Sequence, residues 1–319
     1  MSQTLSVVVP VYNESEVLET FHVRLVKVMD ELRLPYQVLY VDDGSEAEFL
    51  FQLQCLRDSD PRVAVLELSR NFGKEVALSA GLDHATGDAV IVIDADLQDP
   101  PELILSFVQE WRAGYDVVYG QRTERRGETA MKRYTAGAFY RLMSVLGDVD
   151  IPRNVGDFRL LSRRAVDALN ALPERRRYMK GLYAWIGFPQ KAVPYVREPR
   201  AAGETKWNYW RLWNFALEGI TSFSAAPLKM ATYLGLLTST FSLLYGLYFL
   251  IRTLLFGNPV PGYPSLIIVV LFLGGVQLIC LGIIGEYLAR TYQESKGRAL
   301  YFLKAYHPAT SVTDKNDAT

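Results

Sequence analysis

Two aspartates separated by one residue are the part of this sequence best suited to chemistry. Asp94 and Asp96 follow an apolar run over residues 89–93, and Gln98 comes two positions later. In an extended segment these alternate side chains point the same way, so both carboxylates would face one site. Such a pair suits Mg²⁺ or Mn²⁺, with phosphate oxygens and waters completing the coordination. Because aspartate is also common where strands end in loops, the interpretation depends on the neighbouring segments.

Three further apolar runs lead into polar residues in the same way. The first continues into Pro10-Val-Tyr-Asn-Glu14 and the second into Asp42-Asp43-Gly44-Ser45. The first lacks the glycine pattern of a dinucleotide-binding site, and the sequence has no G-x-x-x-x-G-K-[ST] phosphate loop. The third continues into residues 70–74, Arg-Asn-Phe-Gly-Lys, which could either cap the next helix or contact a ligand.

Strand-like and helix-like segments alternate through this part of the chain. Strands are predicted at Leu5–Val9, Val38–Val41, Val63–Leu68, Ala89–Ile93 and Asp116–Tyr119, and helices at Ser15–Leu34, Glu46–Asp58, Lys74–Ala85 and Pro101–Ala113. Continuous Val/Ile runs are typical of strands covered on both faces, and the alternation predicts an α/β domain with a mainly parallel sheet. Ligands of such sheets bind beyond the carboxyl ends of the strands, where the aspartates fall.

Composition excludes several classes of protein. Of the 319 residues, 50% are hydrophobic, and 34 Lys and Arg nearly balance 35 Asp and Glu. A disordered chain is excluded by this hydrophobic content, and the balanced charge argues against a nucleic-acid binder. Two cysteines are too few for a disulfide scaffold.

The hydrophobic residues are concentrated near the C-terminus, in two segments that match membrane spans. Residues 230–251 and 265–285 carry no formal charge, and each is long enough to cross a hydrocarbon core of about 30 Å. Buried core helices are the alternative, but these are usually shorter and have a polar stripe. The loop 257–264 contains no Lys or Arg, whereas basic residues lie outside the two spans, so the positive-inside rule predicts that both termini are cytoplasmic.

Four segments follow from these patterns. We predict a cytoplasmic catalytic domain over residues 1–204, an amphipathic interface helix over 205–226, a two-helix transmembrane anchor over 227–292 and a cytoplasmic tail over 293–319. The interface helix is indicated by Trp207, Trp210 and Trp213 among charged residues. A helix packed on the catalytic domain is the alternative for that segment. The start of the chain does not have the pattern of a signal peptide.

Four motifs together resemble the family 2 glycosyltransferases of the GT-A fold. They are the Pro10–Glu14 and Asp42–Ser45 segments, the Asp94–Gln98 segment and Gly156-Asp-Phe-Arg-Leu160. The two-span C-terminal part, ending in Gly285-Glu-Tyr-Leu-Ala-Arg-Thr-Tyr292, is similar to the polyprenyl-phosphate branch of that family. Within this branch the sequence is most similar to bactoprenol glucosyltransferases of the GtrB type.

The resemblance implies roles for individual residues. Residues that would hold the base and ribose of a nucleotide-sugar are Pro10, Tyr12, Glu14 and Asp42. Asp94 and Asp96 match the motif for the metal and the diphosphate, with Gln98 beside them. Asp157 matches an acidic residue near the acceptor. It could act as a base or orient other groups, and a helix cap or an ion pair with a nearby arginine is the alternative.

Basic residues supply candidates for binding phosphate groups. Residues 153–211 contain 13 Lys and Arg against 5 Asp and Glu, although most of these would form a solvated basic face. Arg122, which follows the fifth predicted strand, and Lys132 and Arg133 beyond it could bind an acceptor phosphate. Arg200 and Lys206 lie in a polar segment that resembles the mobile loop of the family, which closes over the donor diphosphate.

The resemblance implies an inverting transferase that moves a hexose, glucose from UDP-glucose, onto undecaprenyl phosphate at the cytoplasmic face of a bacterial inner membrane. Mg²⁺ or Mn²⁺ is the expected cofactor, and a homo-oligomer and a downstream flippase are expected partners. GDP-mannose or a UDP-modified arabinose could replace the donor. A processive synthase is disfavoured because the sequence lacks Q-x-x-R-W. A membrane-tethered nucleotide-sugar binder without activity is the remaining alternative.

Overall fold

The computed structural model describes residues 3–123, 152, 154–175, 177–196, 226–257 and 262–310. The chain divides into two compact units. The first comprises residues 1–144, 149–213 and 298–319, and the second comprises residues 145–148 and 214–297. The first unit therefore takes chain from both sides of the second in sequence.

Within the described residues, one eight-stranded sheet forms the centre of the first unit. Its strands are β1 (Leu5–Val11), β2 (Tyr36–Asp42), β3 (Val63–Leu68), β4 (Ala89–Val92), β5 (Val117–Arg122), β6 (Val155–Ser162), β7 (Gln190–Tyr195) and β8 (Leu303–His307). Their order across the sheet is β7-β5-β6-β4-β1-β2-β3-β8. The pairs β1–β2, β1–β4, β2–β3 and β5–β7 are parallel, whereas β6 and β8 run antiparallel to their neighbours. This confirms the mainly parallel sheet predicted from the sequence.

Six helices accompany the sheet in the described part of this unit. They are α1 (Leu18–Glu31), α2 (Ala47–Ser59), α3 (Lys74–His84), α4 (Leu103–Arg112), α5 (Arg163–Asn170) and α6 (Met179–Trp185). All seven residues of β1 are buried, as expected for a strand covered on both faces. Phe21, Leu25 and Met29 of α1 recur every four residues and are buried in the same apolar cluster as that strand. This packing fixes the carboxyl ends of β1, β2 and β4 along one edge.

The five strands and four helices predicted from the sequence are all present, with ends that differ by a few residues. The strand β8 was not predicted, because its residues belong to the segment expected to be a tail. It pairs with β3 through Val65–His307 and Leu66–Tyr306. Lys304 also forms an ion pair with Glu67, which is buried within β3, and His307 Nε2 lies 3.3 Å from the same carboxylate. The polypeptide therefore returns to the sheet after the second unit.

Two long apolar helices make up the described part of the second unit. They are α7 (Ala226–Phe256) and α8 (Tyr263–Ser295). Both contain segments long and apolar enough to cross a membrane, Met230–Phe256 and Ile268–Ser295. Most of their large apolar side chains are exposed, unlike those of core helices in a soluble protein. The predicted interface helix over 205–226 lies almost wholly outside the described residues.

Candidate active site

A cavity of about 370 Å³ lies at the carboxyl edge of β1, β2 and β4. Residues from the ends of these strands and from the start of α3 line it: Pro10, Val11, Tyr12, Glu14, Asp43, Asn71, Gly73, Lys74, Ala77, Asp94 and Asp96. Five of the predicted site residues are in this set, namely Pro10, Tyr12, Glu14, Asp94 and Asp96. The residues after four separate strands therefore meet at one place, as expected for ligand sites in parallel sheets.

The aspartate pair reaches the cavity through a tight turn after β4. Leu97 has a φ of 58°, a left-handed conformation that is uncommon for a residue other than glycine. In this turn the backbone N–H of Gln98 donates a hydrogen bond of 3.1 Å to the Asp96 carboxylate. Gln98 itself is partly buried and does not line the cavity. The turn thus holds Asp96 and leaves the side chain of Gln98 outside the site.

The donor atoms of the cavity fit a hard divalent cation. Asp94 and Asp96 present carboxylate oxygens to the same space, and among the described residues no set of three His, Cys, Asp or Glu side chains could hold a metal alone. Mg²⁺ and Mn²⁺ are commonly held by one or two carboxylates together with substrate phosphates and waters. The residues therefore suit a cation that binds together with a diphosphate.

Lys74 lies between two carboxylates from neighbouring strands. Its ammonium group is 2.7 Å from Asp94 Oδ2 and 2.6 Å from Asp157 Oδ2. The antiparallel register of β4 and β6 pairs Val92 with Arg159. Continuing that register by two residues places Asp94 opposite Asp157, where like charges repel. Lys74 supplies the positive charge that offsets this repulsion.

Burial and nearby charges act in opposite directions on these acids. Burial raises the pKa of Asp94, because the attraction of Lys74 offsets the cost of desolvation only in part. Burial would also raise the pKa of Asp157, but the charges of Lys74 and Lys180 outweigh it and hold that pKa below its usual range. Glu75 has a pKa raised to about 7 by burial and by the charge of Asp157. The lowered pKa keeps Asp157 ionised at neutral pH.

The buried side chain of Arg159 fixes the backbone at Asp157. Arg159 donates to the backbone oxygens of Asp157 and Gly156, at 3.2 and 2.8 Å. Its guanidinium also stacks on Tyr183, with the carbon 3.6 Å from the ring centroid. Asp157 Oδ1 is buried and accepts no hydrogen bond from the described residues. One oxygen of this carboxylate is thus paired with Lys74, and the other has capacity for a further donor.

The two aspartates at the end of β2, Asp42 and Asp43, have structural contacts. Asp42 is fully buried and accepts hydrogen bonds from the backbone amides of Gly44 and Ser45. Asp43 accepts bonds from the amides of Phe72 and Gly73, at 2.7 and 2.9 Å. Asp42 does not line the cavity, whereas Asp43 does. Asp42 is the residue predicted from the sequence, whereas Asp43 is the one that the structure brings to the cavity.

Arg122 lies beside Asp157 but has partners of its own. Its guanidinium donates to the Tyr195 hydroxyl at 3.1 Å and is 3.7 Å from Asp99, which also accepts a hydrogen bond from Tyr195. A Cβ atom at Gly156 would lie 2.6 Å from the guanidinium, so glycine makes room for Arg122 next to Asp157. The side chain is 21% exposed and retains donors that could reach a ligand.

The remaining predicted residues lie outside the described part of the chain. These are Lys132, Arg133, Arg200 and Lys206. The segment 70–74 borders both α3 and the cavity. Gly73 precedes α3 with a φ of 99°, while Asn71, Gly73 and Lys74 line the cavity. Lys74 and Asp43 therefore line the site although they are not among the site residues predicted from the sequence.

Comparisons with known proteins assign the chain to a family. The model of glycosyl transferase family 2 matches residues 6–169, which include every strand end that forms the cavity. The chain belongs to glycosyl transferase family 2. A second model, the GtrB C-terminal hairpin, matches residues 226–291 and so covers nearly all of α7 and α8. The family and the GT-A class expected from the four motifs are confirmed.

Curated relatives extend over almost the whole length of this glycosyltransferase. An uncharacterized glycosyltransferase of Synechocystis sp. is 53% identical over 95% of both chains. The SfII prophage-derived bactoprenol glucosyl transferase of Shigella flexneri is 50% identical over 95% of this chain and 98% of its own. Together with the apolar hairpin, these matches confirm that the protein is a glycosyltransferase that associates with membranes.

Solved structures show weaker similarity to this glycosyltransferase. Glucosyl-3-phosphoglycerate synthase of Mycobacterium tuberculosis, in complex with Mn²⁺, UDP and phosphoglyceric acid, has a TM-score of 0.48 and 19% identity. It covers 69% of this chain and 76% of its own. The mannosyltransferase of Pyrobaculum calidifontis, in complex with GDP-Man and Mn²⁺, has a TM-score of 0.46 and 16% identity over 94% of this chain and 77% of its own.

Proposed function

We propose that this protein transfers glucose from a nucleotide-sugar, UDP-glucose, to undecaprenyl phosphate and inverts the anomeric configuration. The observation that carries the proposal is the cavity in which Asp94 and Asp96 meet the Pro10–Glu14 segment. The bactoprenol glucosyl transferases, at about 50% identity over nearly the full chain, support the lipid acceptor and the sugar.

The donor nucleotide is proposed to occupy the cavity. Pro10, Tyr12, Glu14 and Asp43 line the part of it formed by β1 and β2, and we assign the base and ribose to this side. Tyr12 is 49% exposed, which leaves its ring available to stack on a base. Asp42 would act on the nucleotide indirectly, by fixing the Gly44–Ser45 turn. Arg200 and Lys206 remain proposed ligands of the diphosphate.

Asp94 and Asp96 are proposed to hold Mg²⁺ or Mn²⁺ beside the donor diphosphate. When bound, such a cation stabilises the negative charge that develops on the leaving nucleoside diphosphate. The Leu97 turn keeps the two carboxylates facing the cavity before substrate arrives, so little reorganisation is needed on binding.

Asp157 is proposed to orient the acceptor rather than to remove a proton from it. A phosphate monoester has a second pKa near about 6 and is already largely anionic at neutral pH. The lowered pKa of Asp157 makes it a weak base, and an efficient base has a pKa near the working pH. Arg122, beside Asp157, is proposed to bind the acceptor phosphate together with Lys132 and Arg133.

The membrane arrangement is part of the proposal. We infer that α7 and α8 cross a bacterial inner membrane as a hairpin, that the sheet unit and both termini are cytoplasmic, and that residues 205–226 lie at the membrane interface. Homo-oligomerisation and a downstream flippase are proposed as well, and they follow from the family resemblance alone.

A donor and acceptor matrix tests this function. Purified full-length protein is mixed with UDP-glucose, GDP-mannose or a UDP-modified arabinose, each with undecaprenyl phosphate and Mg²⁺ or Mn²⁺. Transfer of labelled glucose to the lipid, lost in Asp96→Asn, is the expected result. Transfer only from another donor would change the assigned sugar, and the absence of transfer from every donor would contradict the function.

A further inference from the structure

The contacts of Lys74 carry an inference that rests on the proposed function and deepens it. We propose that Lys74 is a positioning residue that ties the donor-side Asp94 to the acceptor-side Asp157 and competes with the divalent cation for Asp94. One ammonium group lies within 2.7 Å of both carboxylates, and it reaches them from the first turn of α3.

The geometry explains why a positively charged side chain is needed between the two carboxylates. Asp94 and Asp157 are opposite one another in the continued register of β4 and β6, and their side chains are only 22% and 12% exposed. Two acids so placed repel each other and turn apart unless a positive group lies between them. Lys74 is that group in the described structure, so both carboxylates keep their direction before a substrate binds.

Competition follows from the same contacts. Asp94 Oδ2 accepts a short hydrogen bond from Lys74, and this oxygen belongs to a carboxylate that we assign to the cation. A divalent ion at Asp94 and Asp96 must either displace the ammonium or share the carboxylate with it. When the divalent ion displaces Lys74 from Asp94, Asp157 is the remaining partner of the lysine. Cation binding on the donor side therefore strengthens the ion pair between Lys74 and Asp157 on the acceptor side.

Mn²⁺ binding to purified full-length protein tests the inference without needing turnover. The free Mn²⁺ signal in electron paramagnetic resonance is titrated with and without UDP. In Lys74→Met we expect roughly tenfold tighter Mn²⁺ binding, because the positive charge that contacts Asp94 is removed. Transfer should fall about 100-fold at the same time, mainly in kcat, since Asp157 loses its alignment. Lys74→Arg should keep the Mn²⁺ affinity within about threefold of the wild type.

Matched controls separate this role from a merely structural one. Lys27→Met removes an exposed lysine from α1 and should change neither quantity. Weaker or unchanged Mn²⁺ binding in a folded Lys74→Met variant would overturn the inference. Loss of UDP binding with unchanged Mn²⁺ affinity would also overturn it, because Lys74 would then be a phosphate ligand.

A second variant keeps the test decisive if Lys74→Met does not fold. In Asp157→Asn the lysine keeps Asp94 as the only charged partner of the two, so Mn²⁺ binding should weaken roughly threefold although the substituted residue is outside the aspartate pair. Unchanged binding would contradict the competition. If the wild type transfers no sugar but these Mn²⁺ shifts occur, the proposed function fails and the lysine contact stands.

Discussion

Two pairs of acids follow neighbouring parts of the same sheet, and the protein uses them differently. After β2, Asp42 and Asp43 accept hydrogen bonds from backbone amides and hold two loops in place. After β4, Asp94 and Asp96 face the cavity, and Asp94 is paired with the side chain of Lys74. Acids at strand ends therefore differ in their partners: both oxygens of Asp43 accept hydrogen bonds from backbone amides, whereas Asp94 is paired with a side chain.

The largest effect is expected from the pair that faces the cavity. Asp96→Asn removes a charge proposed to hold the cation but keeps an oxygen that can accept the bond from Gln98. Glucose transfer should fall about 1,000-fold, equivalent to about 4 kcal/mol of transition-state stabilisation, with little change in the unfolding midpoint. Labelled-sugar transfer and thermal unfolding measure the two quantities. Full activity in a folded variant would remove the distinction between the pairs.

The loop held by Asp42 should be sensitive to added volume. Gly44 has a φ of 74°, and a Cβ there would lie 2.5 Å from the backbone of Arg70 and Asn71. We expect Gly44→Ala to lower the free energy of unfolding by about 3 kcal/mol, because both the conformation and the clash are unfavourable. Gly114→Ala is the control, since its φ is 105° but nothing lies within 4 Å. Equal losses in the two variants would show that close packing of this loop has no role.

Asp43→Asn should lower the stability of the protein without changing cation binding. The amide cannot accept from both Phe72 and Gly73, so we expect a loss of about 2 kcal/mol in the free energy of unfolding. Asp58→Asn, at an acid with 76% side-chain exposure, should change it by less than about 0.5 kcal/mol. Denaturant unfolding of both variants measures this. A stable Asp43→Asn with weakened Mn²⁺ binding would place Asp43 with the other pair.

Glu75 gives a smaller effect that depends on pH. Its folded pKa of about 7 lies above the ordinary 4.5, so the neutral form stabilises the fold below about pH 4.5 and this gain is lost as the pH rises through 7. Glu75→Gln stays neutral, so the variant should be more stable than the wild type above pH 7, by about 1–2 kcal/mol after allowance for solvent screening. The difference in unfolding midpoint between pH 5 and pH 9 measures it. A difference that does not change with pH would contradict the assignment.

Much of this architecture follows from local patterns. The Val/Ile runs predict β1 to β5, and the Asp94-Ala-Asp96 spacing predicts two carboxylates in one cavity. The sequence does not distinguish Asp43 from Asp42, because β2 is buried on both faces. Its residues therefore show no alternation of polar and apolar side chains that would indicate which aspartate faces the site. Lys74 was also missed, since its role depends on the register between β4 and β6, strands about 60 residues apart in sequence.

The strand β8 was not predicted for a different reason. Its five residues, Leu-Lys-Ala-Tyr-His, are partly exposed and lack the continuous apolar character of the central strands. They form a strand because the edge of β3 offers unpaired backbone groups and because the Glu67 carboxylate contacts Lys304 and His307. Such pairing is decided by the partner, which single-sequence periodicity does not report.

The return of the chain at β8 also makes the apolar hairpin a topological insertion, because residues of the first unit come both before and after it in sequence. A protein cut after residue 297 would lose the strand that covers the edge of β3, and bare sheet edges of this kind recruit strands from other molecules. Soluble versions of the catalytic unit would therefore have to bridge residue 213 to residue 298 with a linker rather than end before the hairpin.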